Sequence, residues 1–196
     1  MDIVPRVQAI LLKPKEEWVK IKAEPSTVTE LFTSYAMVLA AIPAVGQFLG
    51  NVLVGRRLPM VGAFRWPLGR ALGNAVVSYV FALAAVYIFA LIINELAPNF
   101  GSTKNQISAL KLAVYSMTPG WVAGVLYIIP GLWVLGILAG LYGLYILYLG
   151  FDTPMMETPK DKVVGYLVVS IVVVIVLYVV FVWILGGIFA VRYARL

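Results

Sequence analysis

The feature that most limits what this chain can become is its succession of long apolar runs, nearly free of charge and separated by short polar connections. An apolar run of about 20 residues matches the hydrocarbon thickness of a bilayer when it is helical. In lipid, an open strand would leave its peptide groups unpaired, so runs rich in Val and Ile are expected to be helices too. Residues 31–54, 71–96, 109–129, 132–150 and 163–191 predict five crossings. The fourth begins after Pro130-Gly131, which interrupts a stretch from Leu110 to Leu149 that is too long for one crossing. The expected fold is therefore all-α, a polytopic membrane bundle of five transmembrane helices. With 62% hydrophobic and 12% charged residues among 196, little remains for a separate soluble domain.

Residues 1–29 form a distinct unit ahead of the helical domain at 30–196. Arg6, Lys13, Lys15, Lys20 and Lys22 alternate there with Ile3, Val7, Ile10, Leu11, Trp18 and Ile21. Apolar groups on one side and cations on the other read as an amphipathic segment at the membrane interface. Pro14 is expected to divide it, with Glu16 and Glu17 near the positive end of the following helix dipole. No secretory signal pattern is expected in it. Arg6, Lys13, Lys15 and Trp18 are candidate lipid-headgroup contacts, as are Arg56, Arg57 and Arg65 in the loop after the first span. Lys and Arg in short loops number nine on the N-terminal side of five spans and six on the other, which favours a cytoplasmic N-terminus. The net charge of +6 thus points to anionic lipid rather than nucleic acid.

Four Gly-xxx-Gly pairs (Gly46/Gly50, Gly69/Gly73, Gly120/Gly124 and Gly136/Gly140) mark faces on which backbones can approach closely, within the bundle or between copies. Pro43 and Pro119 fall inside spans and predict kinks. Around Pro119, hydroxyls and aromatics converge at one depth: Tyr115, Ser116, Thr118 and Trp121. Tyr142 and Tyr145, deep in the fourth span, need hydrogen-bond partners, for which Asn74, Ser78 and Ser116 are the available polar groups. Glu95 and Lys111 end one span and open the next, and offer an ion pair.

Chemistry is poorly provided for. The chain has no His and no Cys, and no paired carboxylates in its spans, so metal, thiol and general-base machinery are absent. No cofactor is expected, and the reading is non-enzymatic, with Ser116 the sole nucleophile worth naming. No span carries an acidic residue at its middle, which disfavours proton or cation relays.

Several stretches resemble the Yip1 domain family: Leu12-Lys13-Pro14-Lys15-Glu16-Glu17-Trp18, Ala41-Ile42-Pro43, the run from Ala109 to Pro119 with its Tyr-Ser-x-Thr-Pro ending, and residues 161–166. The resemblance implies five helices and a role in organising membranes. Eukaryotic members are Golgi and endoplasmic reticulum proteins that bind Rab-type GTPases through a long cytosolic N-terminal region, whereas this chain has about 29 residues there. The expected function is a membrane scaffold or adaptor whose partners are lipids and a protein or second copy. The alternative is a carrier or channel for a lipid or small molecule, with its cavity near Pro119 and the tyrosines.

Overall fold

A computed structural model describes residues 2–58, 62–153, 155–176 and 179. Two short helices, α1 (Ile3–Leu12) and α2 (Pro14–Ala23), form a hairpin at the Lys13-Pro14 elbow. Pro14 occupies the first turn of α2, where its missing amide costs nothing, with Glu16 and Glu17 beside it. Thr27 and Glu30 then cap each other reciprocally and open α3, a continuous helix over Val28–Val54. The helix runs through Pro43 and widens into π turns at Phe32–Ala36 and Gly50–Val54.

Gly55, with φ of 75°, ends α3 in a conformation costly for other residues. A small antiparallel hairpin follows, β1 (Arg56–Leu58) against β2 (Gly62–Phe64), with Arg56 opposite Phe64. Apart from this hairpin the described elements are helical. The long helix α4 (Leu68–Leu96) returns along α3 and ends in a 3-10 turn, Ala97–Phe100.

The expected third crossing is not one helix. Asn105 caps α5 (Gln106–Ser116), the chain turns at Met117, and α6 (Thr118–Ala123) restarts with Pro119 in its first turn, followed by a 3-10 segment at Gly124–Ile128. Pro119 therefore opens a new helix instead of kinking an old one. The next helix, α7, spans Trp133–Asp152, and residues 163–176 are helical. The rest of the expected fifth span, 177–191, lies outside the described residues except for Val179.

Among the described residues, three helices are long and apolar enough to cross a membrane: Val28–Val54, Leu68–Phe100 and Val134–Asp152. Helix α5 is central, with every residue from Ala109 to Ser116 buried. Glycines bring the other helices against this centre. A Cβ on Gly124 would lie 2.5 Å from that of Pro43, and one on Gly143 would lie 2.6 Å from the Ser116 carbonyl oxygen. Gly46 fits against Gly124, Gly50 against the Tyr127 carbonyl, and Gly136 against the Tyr127 ring. The glycine pairs thus serve packing within the chain at these positions, whereas Gly69, Gly73, Gly120 and Gly140 face open space.

Candidate functional site

The N-terminal hairpin is docked on the bundle. Ile10, Trp18 and Ile21 are fully buried, together with Glu17, and they share the inner faces of α1 and α2 with Arg6. Arg6 bonds Glu17 and reaches Glu24 at 2.6 Å, and its guanidinium lies 5.9 Å from the centre of the Tyr115 ring. Burial opposes the charge on Arg6, but its bond to Glu24 and the charges of Glu24 and Glu17 outweigh that, so its pKa stands above the ordinary value.

Side chains from the central helices close the carbonyl ends of this hairpin. The Lys111 ammonium donates to the carbonyls of Ile21, at 2.7 Å, and Glu24, where α2 has run out of amide donors. The Tyr142 hydroxyl donates to the Leu11 carbonyl at 2.7 Å, at the end of α1. The Trp18 indole donates to the Ile146 carbonyl at 2.9 Å and meets Tyr115 edge-on at 6.1 Å. Tyr115 in turn packs edge-on against Tyr35 at 4.8 Å, and Tyr35 shares a 2.9 Å hydrogen bond with Thr118. The π turn at Phe32–Ala36 carries Tyr35 into this contact.

These contacts correct several expectations. Trp18 and Arg6 are engaged by protein groups, so Trp18 has no surface to offer a headgroup and Arg6 has little. Lys111 binds backbone carbonyls, and Glu95 pairs with Lys104 instead. Tyr142 finds Leu11 rather than Asn74, Ser78 or Ser116, because Asn74 bonds Gln47 at 2.9 Å and the two serines bond carbonyls of their own helices. Ser116 gives its hydroxyl to the Ala113 carbonyl and is buried. Tyr145 stacks obliquely on Tyr142 and is 45% exposed on the outer face of α7. Lys13, Lys15 and Arg65 are exposed, and the side chains of Arg56 and Arg57 lie outside the described set.

The region around Pro119 is filled. Tyr35, Tyr115, Ser116, Thr118, Pro119 and Trp121 are all buried against one another and their neighbours. A cavity lies elsewhere, a bowl of about 590 Å³ between α1, α2 and the start of α3. Asp2, Arg6, Glu17, Lys20, Glu24 and Glu30 line it, with the hydroxyls of Ser26 and Ser34. A second groove, about 240 Å³ and wholly apolar, runs between Ala41–Phe48 and Leu72–Tyr79 on the outside of α3 and α4. No group of three or more potential metal-ligating side chains occurs among the described residues.

Sequence reading missed the Arg6–Glu17 contact, although its signal was present. Both residues fall on the apolar stripes of their helices, at the 3-6-7-10 positions of α1 and the 14-17-18-21 positions of α2. A charge inside such a stripe announces a buried partner.

Long apolar helices wrapped on a buried, partly polar centre define a helical membrane protein with several crossings. The Yip1 domain matches residues 9–184, and the chain belongs to the Yip1 domain family. It is also similar to the inner membrane protein YohC of Escherichia coli K12, at 26% identity over 75% of this chain and 77% of that protein, and equally to its counterpart in E. coli O6:H1. No solved structure matches.

Proposed function

We propose that the protein is a non-enzymatic scaffold or adaptor with five membrane crossings and a cytoplasmic N-terminus, offering the bowl beside α1 and α2 to a protein partner. The supporting observation is that the side chains around Thr118 and Tyr115 are buried against their neighbours, while a polar bowl of about 590 Å³ opens beside the N-terminal hairpin. A carrier would need the opposite arrangement. The third crossing is the broken segment from Gln106 to Ile128, whose pieces together rise roughly 35 Å if they run nearly in line. The helix from residue 163 supplies the fifth.

Site-directed photocrosslinking in cells tests this reading. The chain has no native Cys, so a single Ser34→Cys change carries a probe into the bowl and Leu72→Cys carries one to the outer groove. A discrete protein adduct from position 34 and none from position 72 is expected. A chain recovered alone and monomeric from both overturns the adaptor role.

A further inference from the structure

The outward face of the N-terminal hairpin carries a pattern that its inner face does not explain. Leu12 at the elbow is 80% exposed and Val19 is 61% exposed, among the largest exposures of any apolar side chain described. On α2, Lys15, Val19 and Lys22 follow one another at four and three residues, a single stripe, and all three are exposed. Lys13 stands at the elbow with 70% of its side chain exposed. Glu16 is the one acid on this face, so cations outnumber it three to one.

The neighbouring helices carry surfaces of the same kind. On α3 the exposed positions change from Thr29, Glu30 and Thr33 to Met37, Val38 and Val45. On α7, Tyr145 and Tyr148 are exposed in the manner of an interfacial belt. Arg6, Glu17 and Glu24 are engaged with one another on the inner side of the hairpin, which leaves the outward face to Leu12, Val19 and the lysines.

We infer that the α1–α2 elbow is a binding surface for an anionic phospholipid leaflet, with Leu12 and Val19 among the upper acyl chains and Lys13, Lys15 and Lys22 at the phosphates. Lysine stems lie along apolar surface while their ammonium groups reach the headgroups, which suits residues flanking Leu12 and Val19. The inference goes beyond the adaptor reading, since it needs no protein partner.

Two measurements on the full chain in lipid nanodiscs test it. Spin labels at Leu12→Cys and Asp2→Cys, each the sole Cys, report depth by their relaxation with oxygen and with a water-soluble nickel chelate. Position 12 is expected to respond mainly to oxygen and position 2, at the bowl, mainly to nickel. Native mass spectrometry of protein released from phosphatidylglycerol-containing bilayers then counts retained lipid, and Lys13→Gln/Lys15→Gln/Lys22→Gln is expected to lose at least half of the anionic lipid without losing phosphatidylcholine. These side chains are exposed, so the variant keeps its fold. Equal nickel access at positions 12 and 2, or unchanged phosphatidylglycerol retention in the triple variant, overturns the inference.

Discussion

Arg6 and Glu17 bond to each other across the N-terminal hairpin with only 11% and 5% of their side chains exposed. Removing one charge from a buried pair leaves the other without compensation, at a cost of about 3–5 kcal/mol, whereas replacing both by apolar groups is far milder. Arg6→Met is therefore expected to lower the unfolding temperature in detergent sharply. Arg6→Met combined with Glu17→Met should recover much of the loss, the remainder reflecting Glu24, as read by heating followed by size-exclusion chromatography.

Lys111 bears on the same hairpin from the opposite side. Lys111→Met keeps the length of the side chain but leaves the carbonyls of Ile21 and Glu24 without their donor, a loss of about 1–3 kcal/mol. Faster hydrogen exchange confined to α2 and the segment leading to Thr27 is the expected signature. Uniform acceleration through α3 and α4 would contradict it.

Glycine substitutions should divide sharply by position. Gly46→Ala or Gly124→Ala forces backbones apart where α3 crosses the Gly124–Ile128 segment, and a cost of about 1–3 kcal/mol follows. Gly73→Ala and Gly140→Ala, in open helical positions, should be neutral or stabilise by up to about 1 kcal/mol. Comparing the four unfolding temperatures in one detergent checks the contrast.

The raised pKa of Arg6 sets the sign of its pH dependence. A cation whose folded pKa exceeds its unfolded one stabilises fully below the unfolded value, which for Arg is already strongly alkaline, and loses that contribution only as pH rises through the folded value. Docking of the hairpin through Arg6 should therefore not weaken from about pH 6 to about pH 10. Hydrogen exchange across α1, corrected for the intrinsic pH effect, measures this.

The long helices were legible because period and length leave an apolar run few options in lipid: α3, α4 and α7 lie close to the expected 31–54, 71–96 and 132–150. The restart at Thr118 was not, since a proline inside a run suits both a kinked helix and the first turn of a new one. What decides between them is the packing of Pro43 on Gly124 and of Gly143 on Ser116, contacts between residues far apart in sequence. The polar centre was half visible. Tyr115, Thr118 and Pro119 stood out by type, whereas Tyr35 and Lys111 acquire their roles only from partners supplied by other helices.

The caps on the N-terminal hairpin come from residues 111 and 142. A chain made from its N-terminus completes α1 and α2 before α5 and α7, so the donors from Lys111 and Tyr142 reach the last carbonyls of the hairpin only once those later helices have been synthesised. A segment made before those helices is in this way settled only after them, and its docking reports that the later helices have found their places.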